Sequence, residues 1–176
     1  MVKRWDVLIW LIDTYKLNVG VEVGVMQGRN IDRILRSRTH FKFYGVDPWV
    51  LTSEYAHWNK KMISKHEAEA KTVDEKYGRR CELIKAFSVE GAKQFDPSSI
   101  DLVFIDGAHT YDAVRQDIDV WLPKLKPGGI ISGHDYRNRA VYQRKGYDFS
   151  GVEKAVDETF GPRVQQAEDH VWWVRV

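Results

Sequence analysis

The stretch from Val19 to Gly28 constrains the fold of this chain more than any other part of the sequence. It reads VGVEVGVMQG, an apolar run that breaks into a glycine turn just before a helical pattern. A strand, a glycine turn and a helix in this order bring backbone N–H groups and a helix N-terminus close to a ligand. The stretch therefore predicts a βα unit with a binding site at the carboxyl end of its strand.

The residue types in this turn narrow the choice of ligand. A dinucleotide fingerprint needs G-x-G-x-x-G, but the glycines here are Gly20, Gly24 and Gly28, and Glu22 stands where a glycine is needed. A carboxylate repels a pyrophosphate and attracts a cation or hydroxyl groups. S-adenosylmethionine (SAM) offers a sulfonium, an ammonium and ribose hydroxyls and has no phosphate. The turn favours SAM, and the alternative is a strand-end acid beside a tight turn that binds no ligand.

Three later segments repeat the pattern of an apolar run that ends in polar residues. FYGVDPW contains Asp47, at about the spacing from the glycine turn where an acid binds ribose hydroxyls in nucleotide-binding sheets. IDLVFIDGAH ends in Asp106 and His109, and LPKLKPGGIISGHDY leads through a Pro-Gly-Gly turn to His134 and Asp135. Ligands of parallel sheets bind at the carboxyl ends of the strands, so we expect these side chains at one site.

Together these segments resemble the class I SAM-dependent methyltransferases. FIDGAHTYDAVRQDI and LKPGGIISGHDY are more specifically similar to a small O-methyltransferase family with a D-G-x-H-x-Y motif, of the methyltransferase family 24 type. The resemblance runs from residue 18 to residue 136. It implies that Gly24 lets SAM approach the backbone and that Glu22 holds the amino-acid end of the cofactor.

Five further positions are candidates for the cofactor site. Gly28 closes the turn, and Asp106 ends a strand beside it. Asp47 is expected to bind ribose, although Asp-Pro also forms turns and the acid could simply cap one. Trp49 is a candidate for the adenine face or for the core. Ser88 follows the third strand and could meet the adenine or ribose, or could be a helix N-cap.

His109 and Asp106 are the candidate catalytic residues. Methylation of a hydroxyl needs the acceptor oxygen deprotonated, or nearly so, as it attacks the sulfonium methyl. Histidine suits the role of general base near neutral pH. The alternative is a His109 that only stabilises the turn before the next helix.

A divalent metal is a further expectation. In related enzymes with this motif pair, acids at the two strand ends hold a metal, which here would use Asp106, His134 and Asp135. Such an ion would bind a substrate diol and lower the pKa of its hydroxyl. His134 stands where an acid would make a harder oxygen site for Mg²⁺, so Mn²⁺ or another transition metal is the other choice. The alternative is an Asp–His hydrogen-bonded pair without metal.

Length and composition suit one soluble domain over residues 1–176. The formal net charge is +2, which gives no strong attraction to nucleic acid or membrane. The single cysteine, Cys81, suits a reducing compartment, and there is no apolar run of transmembrane length. We expect a cytoplasmic protein with no membrane partner.

The predicted fold is α/β: a Rossmann-like methyltransferase domain with a mostly parallel sheet, helices on both faces and an antiparallel C-terminal hairpin. Strand-like runs lie at 19–23, 42–46, 82–84, 101–105, 129–132, 163–167 and 170–175, with helices opening the chain and at 152–160. Trp172 and Trp173 should alternate faces, and the exposed one could serve a homodimer contact.

Two segments lie outside this minimal pattern. Residues 53–80 predict a charged, mostly exposed helix with one apolar side. Residues 136–150 form a basic, aromatic loop after a strand that should reach the site, and such loops commonly carry specificity. The histidines outside the motifs are expected in solvent: His40, His57, His66 and His170.

The predicted function is methyl transfer from SAM to a hydroxyl oxygen of a small molecule or glycan. One alternative is a SAM-binding module without turnover. Another is a nucleic-acid methyltransferase, suggested by Arg137, Arg139, Arg144 and Lys145. Amino-methylating enzymes often carry [DNS]-P-P-[YFW] after the fourth strand, where this chain has DGAH, which argues against amine chemistry and against a nucleic-acid partner. The failed G-x-G-x-x-G pattern argues against a dehydrogenase.

Overall fold

The computed structural model describes residues 1–51, 58–138 and 150–176. Within these ranges the α-helices are α1 (Arg4–Tyr15), α2 (Arg29–Ser37), α3 (Lys60–Tyr77), α4 (Ser88–Ala92), α5 (Tyr111–Trp121) and α6 (Ser150–Phe160). The strands are β1 (Val19–Val23), β2 (Lys42–Asp47), β3 (Cys81–Lys85), β4 (Ile100–Ile105), β5 (Leu125–Gly133), β6 (Gln165–Gln166) and β7 (Trp172–Arg175). Short 3₁₀ turns lie at Gly78–Arg80, Leu122–Lys124 and Gly161–Arg163.

The strands form one sheet in the order β3-β2-β1-β4-β5-β7-β6. The pairs among β1 to β5 are parallel, β7 is antiparallel to β5, and β6 is antiparallel to β7. This confirms the predicted mostly parallel sheet with an antiparallel C-terminal hairpin. The strand order reverses between β1 and β4, and ligands of open α/β sheets bind in the crevice at such a switch point.

Both faces of the sheet are covered by helices, as predicted. Alternate residues of β4 point to opposite faces, which is the period of a strand. Val103 and Ile105 join the core cluster that holds buried residues of α5 and α6. Leu102 and Phe104 join the cluster that holds buried residues of α1, α2 and α3. A strand apolar on both faces is the expected signature of a buried parallel sheet.

The structure differs from the sequence prediction at the Pro-Gly-Gly segment. The predicted turn lies inside β5, which already begins at Leu125. The register between β4 and β5 shifts between Ile100 and Leu102, and Gly128 has a φ of 81°. Glycine tolerates this conformation at no steric cost, so the segment makes an irregularity within the strand instead of ending it.

The predicted charged helix is α3, with Ile63, His66 and Ala70 buried at helical spacing. The expectation that His66 lies in solvent is wrong, because its ring packs edge-on against Trp58 at 5.0 Å between centroids. Met62 is exposed and does not belong to the apolar side. Residues 52–57, with Tyr55 and His57, lie outside the described residues.

Trp172 and Trp173 do alternate faces, but neither is an exposed anchor. Trp172 is fully buried, and Trp173 is partly covered by Trp10 and Tyr15, with ring centroids 6.0 and 5.7 Å away. The helix that opens the chain thus covers the tryptophan that was expected in solvent. The homodimer stays a prediction.

Among the described helices, none is both long enough and apolar enough to cross a membrane. Residues 139–149, which make up most of the predicted specificity loop, lie outside the described residues.

Candidate active site

The strand register brings the predicted acidic residues to one edge of the sheet. Ile105 at the end of β4 pairs with Val23 of β1 on one side and with Gly133 of β5 on the other. The next residue, Asp106, donates its N–H to the carbonyl of Val23 at 2.7 Å, and His134 donates its N–H to Ile105 at 3.0 Å. The carboxyl ends of β1, β4 and β5 therefore meet around Asp106.

Gly24 makes this close approach possible. Its φ is +88°, and a Cβ added there would lie 2.3 Å from the carbonyl oxygen of Asp106. Its N–H donates to the carbonyl of Val46 at 2.9 Å, which ties the turn to β2 as well. Gly28, also in the left-handed region, is the N-cap of α2. Both glycines are needed for the shape of the turn, and their role toward SAM stays a prediction.

Glu22 is a buried acid with an unsatisfied oxygen. The residue is 1% exposed, and Nδ2 of Asn30 donates to its Oε1 at 2.6 Å. Its Oε2 has no hydrogen-bond partner among the described residues. Burial, with help from the charges of Asp106 and Asp47, raises the pKa of Glu22 to about 8, although Asn30 and Arg4 oppose the shift. A buried carboxyl kept neutral in this way is poised to ionise when a cation arrives.

Asp47 organises the glycine turn through its carboxylate. The backbone N–H groups of Val25 and Met26 donate to Oδ2, each at 2.9 Å, and that of Trp49 donates to Oδ1 at 2.7 Å. Burial raises the pKa of Asp47, and these three donors oppose the shift. The structure therefore contains the turn-capping role, and binding of ribose by the same carboxylate stays a prediction.

Trp49 lies in the core, where its Nε1 donates to the carbonyl of Met26 at 2.9 Å. This hydrogen bond ties the indole to the glycine turn. A contact of Trp49 with adenine stays a prediction.

Ser88 does not cap a helix, because Phe87 is the N-cap of α4. Instead the Ser88 hydroxyl accepts from Nε1 of Trp121 at 2.9 Å. It also bonds to Asp117, whose pKa burial raises to about 6 against the effect of that hydrogen bond. The N-cap prediction was wrong because the hydroxyl is used by α5 instead of by its own helix, and the cofactor role of Ser88 stays a prediction.

Four residues from the ends of β4 and β5 form what we call the acid–histidine cluster: Asp106, His109, His134 and Asp135. Nε2 of His109 and Nδ1 of His134 each lie 3.0 Å from Oδ2 of Asp135, and Nδ1 of His134 lies 3.6 Å from Oδ1 of Asp106. The structure places the predicted members of the cluster together and shows a hydrogen bond of His109 to Asp135. The catalytic pairing of His109 with Asp106 stays a prediction.

Asp135 is the hub of the cluster. Its φ is +58°, and Nδ2 of the buried Asn138 donates to its Oδ1 at 2.6 Å. Burial opposes ionisation of Asp135, but the close approach of His109 and His134 outweighs it and holds the pKa of this carboxyl well below its usual range. Asp135 is therefore favoured as the anion that bonds to His109 and lies against His134.

Sequence reasoning missed Arg4, which reaches the cluster from α1. Nη1 of its guanidinium donates to Oδ2 of Asp106, and its backbone N–H donates to Oδ2 of Asp169 at 2.9 Å. Asp169 lies in the β6–β7 turn, 4.0 Å from Nε2 of His134. No motif marks Arg4, because only the tertiary packing of α1 brings the first turn of that helix to the end of β4.

The donor set suggested for a metal is brought together. Asp106, His134 and Asp135 each offer one ligand atom, and these atoms lie within 4.8 Å of one another. Neither ring nitrogen of the buried His134 has a hydrogen-bond partner among the described residues. Two carboxylates and an imidazole fit Mn²⁺ or another transition-metal ion better than Mg²⁺, which prefers oxygen ligands alone.

A cavity of about 480 Å³ opens beside the first turn of α2. It reaches the glycine turn at Gln27 and Gly28, and Trp5, Arg29 and Arg33 are among its other lining residues. The acid–histidine cluster is not among the residues that line it.

The comparison with protein families agrees with this geometry. The profile of a family described as a methyltransferase domain matches residues 21–136, which is more than half of the chain. The chain belongs to this methyltransferase family. The matched range runs from β1 to the residue after Asp135, so it contains the glycine turn and the whole acid–histidine cluster.

Two curated relatives are similar over shorter shares of their own length. An uncharacterised protein of Sinorhizobium fredii is 24% identical over 131 residues, which cover 72% of this chain and 14% of that protein. An uncharacterised protein of Acanthamoeba polyphaga mimivirus is 24% identical over 122 residues, which cover 67% of this chain and 51% of that protein. The chain thus spans about half or less of the length of these relatives.

Solved structures share the fold at low sequence identity. A caffeoyl-CoA O-methyltransferase candidate of Staphylococcus aureus is 17% identical with a TM-score of 0.68, over 99% of this chain and 84% of that one. A Bacillus cereus O-methyltransferase solved with SAH, the demethylated cofactor, is 16% identical with a TM-score of 0.68, over 100% and 83%. TomG of Streptomyces achromogenes, an O-methyltransferase solved with SAM, is 13% identical with a TM-score of 0.65, over 98% and 79%.

Proposed function

We propose that this chain transfers the methyl group of SAM to a hydroxyl oxygen of a small molecule or glycan. The observation that carries the proposal is the unsatisfied, buried carboxyl of Glu22 behind the Gly24 turn, next to the acid–histidine cluster at the same sheet edge. One half of this edge suits a cationic cofactor, and the other suits a hydroxyl that must lose a proton. The SAM and SAH complexes of the structural neighbours support the choice of cofactor.

SAM would bind across the switch point between β1 and β4. Its ammonium would approach Oε2 of Glu22, which would ionise Glu22 and release a proton. The turn at Gly24 would pass along the cofactor, and the glycine lets that turn lie directly against the backbone of Asp106. Asp47 would accept the ribose hydroxyls with the lone pairs that its three backbone donors leave available.

His109 would act as the general base. In the tautomer whose Nε2–H donates to Asp135, the basic lone pair is on Nδ1, and the carboxylate stabilises the imidazolium that forms. The acceptor O–H gives its proton to Nδ1 as the oxygen attacks the methyl carbon. The O–CH₃ bond forms, the S–CH₃ bond breaks and SAH leaves. The chain's main contribution is to position the two reactants.

A divalent metal, where bound, would be held by Asp106, His134 and Asp135. It would bind the acceptor hydroxyl and lower its pKa, which is the work that His109 does as a base. The chain's own residues would orient the acceptor in either case, since Asp135 bonds to His109 and lies against His134.

The test combines binding and turnover. Calorimetry with SAM and SAH is expected to show saturable binding to the wild-type protein. Mass-spectrometric detection of SAH across a library of hydroxylated acceptors, with and without Mn²⁺, is expected to identify an acceptor. The His109→Ala protein should then lose about 10²–10⁴-fold in turnover and keep its SAM affinity.

His40→Ala is the matched control, because His40 is an exposed histidine outside the site. It should behave as wild type in both assays. A chain that binds SAM and methylates no acceptor would be a SAM-binding module instead. A His109→Ala protein with wild-type turnover would remove His109 from the mechanism.

A further inference from the structure

The first turn of α1 is fastened to the acid–histidine cluster by two contacts of one residue. The guanidinium of Arg4 donates to Asp106, and its backbone N–H donates to Asp169. The Arg4 side chain is 32% exposed, although arginine side chains usually lie in solvent. Side chain and backbone of Arg4 therefore both point at the carboxyl edge of the sheet.

The surroundings of the guanidinium are strongly acidic. Besides Asp106, the carboxyls of Glu22, Asp135 and Asp169 act on its charge. Burial alone would lower the pKa of Arg4, but these four acids outweigh burial and raise it. Arg4 is the cation that offsets the acids gathered at this edge.

A second observation concerns the ring nitrogens of His134. The His134 side chain is nine-tenths buried, and neither of its ring nitrogens has a hydrogen-bond partner among the described residues. Its Nδ1 faces carboxylate oxygens of Asp135 and Asp106 at 3.0 and 3.6 Å. Buried polar atoms normally find a partner, and an imidazole grouped with two carboxylates becomes a donor set for a metal ion when its ring nitrogen gives up its proton.

The guanidinium of Arg4 and a metal ion held by this set would be close neighbours on Asp106. Arg4 bonds to Oδ2 of Asp106, and Oδ1 of the same carboxylate faces Nδ1 of His134. A divalent ion ligated by Asp106 would therefore lie close to the positive guanidinium, and like charges at such range repel strongly. Each cation therefore weakens the attraction of Asp106 for the other.

We propose that Arg4 is a tethered cation that competes with a divalent metal ion for the negative charge of Asp106, so that the metal binds more tightly when the first turn of α1 releases its guanidinium. The proposal rests on the metal site of the proposed function but does not need methyl transfer. Under this proposal the first turn of α1 is part of the site, because its movement would take the guanidinium away from the metal position.

Direct measurement of Mn²⁺ binding tests this competition. The free Mn²⁺ signal in electron paramagnetic resonance is titrated with wild-type protein and with Arg4→Met. Arg4→Met is expected to bind Mn²⁺ at least tenfold more tightly. Adding Asp106→Asn to Arg4→Met should abolish the gain, because the contested carboxylate is then gone.

Arg36→Met is the matched control. Arg36 pairs with Asp32 on the surface of α2, and its side chain is 57% exposed. This variant removes the same unit of charge, so it should leave Mn²⁺ affinity within twofold of wild type. An equal gain in Arg36→Met would assign the effect to net charge and overturn the proposal.

Chemical rescue separates competition from a structural role. In Arg4→Ala, millimolar methylguanidinium should weaken Mn²⁺ binding by refilling the vacated place, and it should have no effect on Arg36→Met. Absence of competition by methylguanidinium would overturn the proposal.

The wild-type protein gives an independent readout in case the Arg4 variants do not fold. Titration with Mg²⁺ or Zn²⁺, followed by ¹⁵N NMR, should shift the backbone and side-chain signals of Arg4 saturably. Signals that stay unchanged would overturn the proposal.

SAM affinity measured on the same samples keeps the two proposals apart. SAM binding without any tighter Mn²⁺ binding in Arg4→Met would remove the competition and leave the methyltransferase proposal standing. Tighter Mn²⁺ binding in Arg4→Met, with no SAM binding by the protein, would support the competition and overturn the methyltransferase proposal.

Discussion

The two halves of the candidate site are held in different ways. Over β1 and β2, the carboxylate of Asp47 accepts from three backbone N–H groups. Over β4 and β5, the carboxylates of Asp106 and Asp135 meet ionisable side chains: Arg4 on the first, and His109 and His134 on the second. Backbone donors are fixed in charge and place, whereas guanidinium and imidazole groups can move or change protonation. The first half is therefore expected to be rigid and the second to be rearranged by protons or cations.

Glu22 and Gly24 join the two halves. Glu22 feels the charges of both Asp47 and Asp106, and the Gly24 backbone lies against the carbonyl of Asp106. Changes at these two positions should act on both halves at once, and so they are expected to have the largest effects.

Gly24→Val should have the largest effect of all. The new Cβ would fall 2.3 Å from the Asp106 carbonyl oxygen at a φ of +88°. Since that oxygen is backbone, the sheet edge must open, and we expect a loss of about 3–5 kcal/mol in the free energy of unfolding, with no measurable SAM binding. Urea denaturation and calorimetry measure the two quantities.

Gly78→Ala is the control for backbone strain alone. Gly78 has a φ of +51°, and a Cβ there meets nothing within 4 Å. It should lose about 1–2 kcal/mol and keep SAM affinity. If Gly24→Val costs no more than Gly78→Ala, the two halves do not meet at Gly24 as described.

The sequence predicted the first half better than the second. The order strand, glycine turn, helix, strand and acid is local, so it placed Glu22, Gly24 and Asp47 at one edge. The alternation of strand-like apolar runs with helical patterns also predicted a parallel sheet with helices on both faces. The acid–histidine cluster was predicted as a group because its members directly follow β4 and β5.

The partners within the second half could not be predicted. Arg4 and Asp169 are separated by almost the whole chain, and their meeting depends on how α1 packs against the β6–β7 turn. The pairing of His109 with Asp135 depends on side-chain directions within a few ångströms. A linear pattern carries neither, and for the same reason the burial of His66 and the use of the Ser88 hydroxyl by α5 were missed.

Glu22→Gln tests the charge between the two halves. The pKa of Glu22 is raised from 4.5 to about 8 in the folded chain, so between these values the folded state keeps a proton that the unfolded state has lost. Stability contributed by the neutral carboxyl is complete below pH 4.5 and is lost as the pH rises towards 8. Glutamine mimics the neutral form, so the variant should be more stable than wild type at pH 8, by an amount on the order of 3–4 kcal/mol.

The measurement is the free energy of unfolding in urea at a series of pH values from about 5 to about 9. Glu82→Gln, which changes an exposed acid in β3, is the control and should leave the pH profile as it is in wild type. A Glu22→Gln protein with the wild-type pH slope would show that Glu22 is ionised in the free protein. The variant should also bind SAM more weakly, since the amide cannot pair with the ammonium.

Asp47→Asn tests the half of the site at β1 and β2, where backbone N–H groups hold the carboxylate. The amide keeps one acceptor oxygen but turns its NH₂ towards backbone donors, so at least one of the bonds from Val25, Met26 and Trp49 is lost. We expect a loss of about 1.5–3 kcal/mol in unfolding free energy. Because the donors are backbone groups, the loss should change little with added salt. A strong salt dependence would mean that Asp47 is held by mobile charges, as the other half is.

Asn138→Ala gives the smallest expected effect and tests the side-chain-held half by the same measure. Asn138 is buried and donates to Oδ1 of Asp135 at 2.6 Å. Asp135 keeps His109 and His134 on Oδ2, so we expect a loss of only about 1 kcal/mol in unfolding free energy. Asn18→Ala, which removes an exposed amide, is the control and should cost less than about 0.5 kcal/mol.

The cost of Asn138→Ala is informative when it is compared with the cost of Asp47→Asn in the other half of the site. If the ionisable partners of Asp135 can adjust to the loss of Asn138, the cost stays below that of Asp47→Asn, whose backbone donors cannot move. The pKa of Asp135 should rise slightly but stay low, since His109 and His134 remain the main cause of its depression. An Asn138→Ala protein destabilised as much as Asp47→Asn would show that the acid–histidine cluster is as rigid as the glycine turn, and it would then have no room to exchange Arg4 for a metal ion.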